Sequence, residues 1–293
     1  VKRPHPGLYI FVSIAWLGLA GEALSTDRGE LARNADAYRA QLAAEPNRPD
    51  LRALLGETLE ALGDASGAMA EYERAIRGPG DVHRALIDRG QLLVRQGRFD
   101  DGRKDFDRAL SLNPRDVEAL AARGHSWVVQ GKGKKAPAAL ADFNAALAIK
   151  PDDSTALNDR GDFYLAQLKP ELALADFNKA LATDPKDDVI LFNRGQTYKQ
   201  LNRYDAALRD FNAVLRLTPG DPQTLAAKAD TYRQLGDLML ARDFYDAALK
   251  GDPRNASAWE ARGEIRAALG DGPGADADKA QARKLDPSIG AQS

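Results

Sequence analysis

Glycine recurs through this chain at a fixed interval, in step with an aromatic residue and a proline. Gly56, Gly90, Gly124, Gly161 and Gly195 share one phase, which Ala229 and Gly263 continue. Every step is 34 residues except Gly124 to Gly161, which is 37. Tyr72, Phe106, Phe143, Phe177, Phe211 and Tyr245 keep the same time, and so do Pro114, Pro151, Pro185, Pro219, Pro253 and Pro287. One period shared by three residue types means a single supersecondary unit copied along the chain. Such copies stack into a body with a continuous core, so the length of 293 residues does not translate into two separate globules.

Each copy contains two helical patterns and a turn. In the copy beginning at Asp188, Leu191, Gly195 and Tyr198 fall three to four apart. Asn202 and Arg203 make a polar turn, and Ala207, Leu208, Phe211, Val214 and Leu215 form a second stripe. Pro219 ends that helix and Asp221 offers a cap to the next. The same cap position holds Asp116, Asp153, Asp187 and Asn255. Glycine inside a helix costs about 1 kcal/mol against alanine, so its repetition predicts close helix–helix approach. Ala68, Ala139, Ala173, Ala207, Ala241 and Ala275 are expected to supply the matching small face, with the aromatics filling the space around the contact.

These residues resemble the tetratricopeptide repeat family, over about residues 49 to 289. The unit of that family is a 34-residue helix–turn–helix. Its large apolar fourth place is matched by Leu86, Leu120, Leu157, Leu191, Leu225 and Trp259, and its aromatic eleventh by Trp127, Tyr164, Tyr198 and Tyr232. Ala75, Ala109, Ala146, Ala180, Ala248 and Ala282 match the twenty-seventh place. The implied fold is all-α: a right-handed α-solenoid of about seven repeats, starting at 49, 83, 117, 154, 188, 222 and 256. Residues 24–48, with Tyr38 in the aromatic phase, are expected to form an N-terminal capping helix, and 290–293 a tail. Departures occur in the first copy, where Pro79 comes a residue early, in the second, with Gly102 for alanine, and in the seventh, with Arg266 and Lys279 for aromatics. The last suits a terminal repeat, whose outer face has no neighbour to cover it.

The first 23 residues read differently. Lys2 and Arg3 precede the apolar run Leu8 to Ala20, and small residues follow. That pattern predicts a secretory signal cut after Ala20 or Ala23, hence a periplasmic or secreted bacterial protein. An uncleaved inner-membrane anchor, or an apolar helix packed on the first copy, are the alternatives. The run is short of the roughly 20 apolar residues that span a bilayer.

Composition limits the chemistry. A net charge of −2 with no large Lys/Arg cluster argues against nucleic-acid binding. There is no cysteine, and the three histidines, His5, His83 and His125, lack ligand-spaced companions. No phosphate-cradling glycine loop is present. The chain is therefore expected to be non-catalytic, without cofactor or metal.

Two groups of polar residues remain as candidates. Arg89, Arg123, Arg160, Arg194 and Arg262 precede the glycines, and Asp105, Asp142, Asp176, Asp210 and Asp278 accompany the aromatics of the same copies. They read either as a ladder of ligand-binding arginines or as ion pairs between helices, and their joint occurrence within single copies favours the pairs. In the sixth copy both change, to Lys228 and Phe244, and in the first both are replaced, by Leu55 and Glu71. By resemblance, the first helix of each repeat lines a concave groove that takes a protein or peptide. Its candidates are Arg84, Gln91, Arg95, His125, Asn158, Asp162, Phe192, Gln196, Lys199, Gln223, Asp230 and Arg233, with Phe192 the one exposed apolar contact. The Lys-x-x-x-Asn pattern with which some members grip a C-terminal carboxylate is absent. The resemblance thus implies a scaffold or adaptor; an anchored structural subunit using its outer faces is the alternative, and an enzyme acting on a small molecule or glycan in the groove a weaker one. The longer turn near Lys132 to Pro137 is either a basic docking point or a tolerated insertion.

Overall fold

The computed structural model describes residues 28–131 and 136–289, and the leader and Lys132–Lys135 lie outside them. Among the described residues every regular element is an α-helix. The chain divides into two units, residues 1–167 and 168–293. Unit one contains α1 (Arg28–Ala44), α2 (Pro49–Ala61), α3 (Ala65–Arg77), α4 (His83–Arg95), α5 (Phe99–Leu112), α6 (Val117–Val129), α7 (Ala136–Ile149) and α8 (Ser154–Ala166). Unit two contains α9 (Pro170–Thr183), α10 (Asp188–Gln200), α11 (Tyr204–Leu217), α12 (Pro222–Leu235), α13 (Leu238–Gly251), α14 (Ala256–Ala268) and α15 (Gly272–Leu285). Each unit is a solenoid in which every helix packs on the next. First helices of successive pairs also touch: α2 with α4, α4 with α6, α6 with α8, and in unit two α10 with α12. The first-helix side of unit one, and the α10–α12 part of unit two, are therefore continuous surfaces.

The boundaries have visible causes. Asp116, Asp153, Asp187, Asp221 and Asn255 each accept a hydrogen bond from the backbone N–H three residues on, at 2.7 to 2.9 Å. At the other end of the first helices the chain turns through a left-handed residue at one fixed phase: Gly63, Gly97, Gly131, Leu168, Asn202, Gly236 and Gly270 all have positive φ. The next N–H then bonds back to a carbonyl five residues earlier, as in Asp64 to Leu59, Arg203 to Tyr198 and Asp237 to Tyr232. This is the glycine-terminated helix end that lets a following helix start at once.

Packing within each pair is tighter than small residues facing small residues. A Cβ placed on Gly90, Gly124 or Gly195 would lie 2.6, 2.7 or 2.6 Å from the ring of Phe106, Phe143 or Phe211, and one on Gly56 would collide with Tyr72. The glycine thus faces the aromatic itself, which corrects the expectation that alanines form the matching face and the rings fill in around it. The rings are almost wholly buried, each stabilising by about 2 kcal/mol or more. The small residue of the second helix has its own close neighbour where the backbones approach: a Cβ on Gly102 would sit 2.7 Å from the Gly90 carbonyl oxygen. That accounts for glycine instead of alanine in the second copy.

Both ends of the described chain show adapted helices. Helix α1 packs on α2, burying Ala35 and Leu42, with Tyr38 against the same cluster. A Cβ on Gly263 of α14 would meet the Ala275 carbonyl, Asp278 Cβ and Lys279 Cγ of α15, so the lysine stem stands where other copies have a ring. Asp276, Ala277, Ala280, Arg283 and Lys284 are exposed on α15.

Leu168 has φ 57° and is 67% exposed, so it carries left-handed strain without a packing contact to lose. Leu168→Gly is expected to raise stability by roughly 0.5 kcal/mol, a left-handed cost of about 1–2 kcal/mol less the entropy of a freed glycine. Equilibrium urea unfolding measures this; an unchanged or lowered midpoint would contradict the strain.

Candidate ligand-binding faces of the two units

The conspicuous arginines belong to the scaffold. Arg89, Arg194 and Arg262 each grip the aspartate 16 residues on through two hydrogen bonds, and Arg123 grips Asp142 across the longer turn, at 2.6 to 2.9 Å throughout. The same side chains reach back 16 residues to the preceding second helix: Arg123 to Asp107, Arg160 to Asn144, Arg194 to Asn178 and Arg262 to Asp246, at 2.6 to 2.9 Å. Arg123, Arg194 and Arg262 therefore each bracket two repeats. Where the pair is missing, the geometry is kept by other means. Lys228 donates to Asn212 and lies 4.0 Å from the centre of the Phe244 ring. In the first copy, Arg52 takes the role one turn earlier and pairs with Glu71 at 2.8 Å. The ion-pair reading holds for these residues; their donors are committed to the fold.

The groove candidates divide between the units. In unit one, Arg84 is exposed on α4 and is shared by Glu57 of α2, Asp88 of its own helix and Glu118 of α6. Gln91 donates to Glu118 at 3.1 Å, and Arg95 pairs with Glu60. His125 of α6 places Nδ1 3.5 Å from Asp159 Oδ1 of α8, with its side chain 12% exposed. Asp162 is half-buried and Asn158 is 2% exposed, so Asn158 is a residue of the helix seam rather than of an open surface.

Burial controls the ionisation here. Asp88 is 3% exposed, and desolvation pushes its carboxyl up to about 8, with Glu57 and Glu118 adding to the rise and Arg84 opposing it. For His125 burial disfavours the charged form, but the carboxylates of Asp159 and Asp162 outweigh it and the imidazole is raised above its ordinary value.

In unit two, Lys199 of α10 lies 3.4 Å from Asp230 of α12, and Arg233 bonds Glu264 of α14 at 2.9 Å. Asp230 also accepts the phenolic hydrogen of Tyr245, whose pKa burial pushes up. Gln196 and Gln223 are half-buried; the Gln196 Oε1 is enclosed without a hydrogen-bond donor. Phe192 is not the exposed apolar contact expected: its ring is half-buried, 5.8 Å from the Phe211 ring, and packs with the buried Ala207, Phe211 and Ala227 cluster. The repeat pattern placed it on the first helix correctly but could not show that the neighbouring large ring draws it inward.

The reading from spacing missed the acidic half of these networks. Glu57, Glu60, Asp88, Glu118, Asp159 and Glu264 share the first helices with the named candidates. Glu57, Glu118 and Glu264 stand at the same repeat places as residues it did name, a signal that was present. Asp88 and Asp159 sit at a place it did not inspect.

Known proteins share this repeat. A tetratricopeptide repeat family model matches residues 87–154, 132–188, 158–222, 192–253 and 226–287, which together cover more than half of the chain. The chain belongs to the tetratricopeptide repeat family. Human tetratricopeptide repeat protein 36 is 30% identical over 93 residues, 30% of this chain and 49% of that protein; the match spans about half of the relative's length. Among solved structures, a chain of the APC/C hetero-tetramer Cut9–Hcn1 superposes with a TM-score of 0.73 at 18% identity, covering 89% of this chain and 49% of the other. PilW, a type IV pilus biogenesis factor, gives 0.65 at 23% identity, covering 71% and 96%. At these identities the structural likeness concerns the fold. Among the described tetratricopeptide repeats, no group of three His, Cys, Asp or Glu side chains is placed to hold a metal, and no helix is long and apolar enough to cross a membrane.

The raised carboxyl of Asp88 gives a pH prediction. Its folded-state pKa lies above the unfolded value near 4, so the native state holds a proton that the unfolded chain has released, and stability falls as pH rises from about 4 to about 8. Asp88→Asn removes that term. The variant is expected to gain stability relative to the parent as pH goes from about 5 to about 8, measured by urea unfolding at each pH; a constant difference would contradict a raised Asp88.

Proposed function

We propose that this chain is a non-catalytic protein-interaction scaffold that binds protein or peptide ligands on the first-helix faces of its units. The observation that carries this reading is the contact of successive first helices, which turns separate hairpins into a continuous polar surface. On it Arg84, Arg95, Lys199 and Arg233 are held by ion pairs from neighbouring repeats. A surface fixed in this way loses little conformational entropy when a ligand arrives. A chain of the Cut9–Hcn1 hetero-tetramer has a similar fold, in keeping with such a role.

A photo-crosslinking amino acid placed at exposed first-helix positions, Arg95 or Gln200, is expected to capture a partner. The same group at exposed second-helix positions, Lys104 or Arg216, is not. Crosslinks confined to the second helices would transfer the function to the outer face.

The N-terminal pattern of Lys2 to Ala23 supports export as part of the same proposal. Sequencing the N-terminus of the mature protein is expected to find it beginning after Ala20 or Ala23; an intact leader would favour the anchored form.

A further inference from the structure

We propose that His125 is a proton-operated latch between the first helices of repeats three and four, closed onto Asp159 when the imidazole is charged and released when it is neutral. The latch concerns how two repeats of unit one hold together. It goes beyond the scaffold reading and does not depend on it.

Its chemistry differs from that of the other bridges between first helices. Arg84 links α4 to α2 through Glu57 and to α6 through Glu118. Lys199 links α10 to α12 through Asp230, and Arg233 links α12 to α14 through Glu264. Those cations stay charged throughout the neutral range. Between α6 and α8 the bridging group is an imidazole, whose Nδ1 lies 3.5 Å from Oδ1 of Asp159. Imidazole is the side chain that gains and loses its charge between about pH 5 and about pH 8. Both partners are enclosed, with 12% of the His125 and 2% of the Asp159 side chain exposed, so salt and water screen the pair little.

The field around His125 is one-sided. Asp159 and Asp162 of α8 favour the charged imidazole and outweigh the burial that opposes it. The other charged groups on the helices packed against α6 are engaged by partners of their own. On α4, Arg84 pairs with Asp88, Arg89 with Asp105 and Arg95 with Glu60. On α5, Arg103 donates to Ser126, Gln130 and Asp100. Glu118 of α6 itself faces Arg84, Arg123 holds Asp142 of α7, and Arg160 of α8 donates to Asn144. Lys199 and Arg233 occupy the twelfth place of their repeats and reach the ninth place of the next. His125 occupies a ninth place, and the twelfth place ahead of it is Val94, which brings no competing cation. The folded protein therefore holds the imidazole proton more tightly than the unfolded chain does. The latch stabilises below about pH 6.5, and its contribution is lost as pH rises through the higher folded-state value.

The test uses the full chain with isotope-labelled histidine. His5, His83 and His125 are the three sources of ring signals, so His5→Gln and His83→Gln assign the third by elimination. The His125 ring is expected to titrate above the ordinary value of about 6.5, and Asp159→Asn to lower it. Hydrogen exchange read by mass spectrometry follows the seam. With the intrinsic pH dependence of exchange divided out, protection of the α8 amides is expected to fall severalfold between about pH 6 and about pH 9. The fall is expected to shrink in His125→Gln and in Asp159→Asn, and α12, bridged by Lys199, is expected to keep its protection. A His125 ring that titrates at or below the ordinary value would overturn the latch, whatever the substitutions at the seam do to folding. An α8 response that is absent, that α12 matches, or that persists unchanged in both variants would overturn it too.

Discussion

The contact between a helix backbone and a buried ring organises everything else. Where Gly90 faces Phe106 there is no room for a single methyl carbon, and the same holds at Gly124 and Gly195. A helix-breaking residue is tolerated mid-helix because the ring then covers bare backbone, and the burial of six or more ring carbons exceeds the glycine cost of about 1 kcal/mol. This fixes the separation of the two helices in the pairs that carry it. Once that is fixed, the next pair can meet only the surface left over, and the copies stack in a regular way within each unit.

The arginine brackets act on the next level. Arg123, Arg194 and Arg262 each reach the second helix of their own copy and that of the copy before, so the spacing of those neighbouring pairs is set by two hydrogen-bonding arms of one planar group. Deviations are compensated in place: a lysine over the Phe244 ring, or Arg52 displaced by one helical turn to reach Glu71. What survives the change is a cation held between helices, which shows that the interaction, not the particular residue, is required. These cations are used up by the fold.

Legibility follows the same division. The helix pairs, the capping aspartates and the brackets were visible because each repeats at the period of the fold, and repetition makes a weak local signal strong. The left-handed turn emerged only with the structure: Gly63, Gly97, Gly131, Gly236 and Gly270 share one phase that the reading of the sequence passed over, and Leu168 and Asn202 interrupt that series. The first-helix face was only half legible. Its side chains do not repeat, since each copy carries different residues there, and a position gives no information about its neighbour's charge. Hence Arg84 and Arg95 were placed correctly on the first helix while the carboxylates that hold them were passed over, and Phe192 was expected in solvent though Phe211 draws it in.

The sequence by itself determined the period, the two helices per period and the composition of their buried seams, because these depend on residues within about thirty positions of each other and are written many times. Only the tertiary structure decided which charges meet. Glu57, Arg84 and Glu118 come from three successive copies, and Asp159 meets His125 from the copy before. Those encounters depend on how one hairpin rests on the next, and so does the burial that lifts the Asp88 carboxyl. Desolvation is a property of the assembled surroundings, and no single stretch of chain carries it.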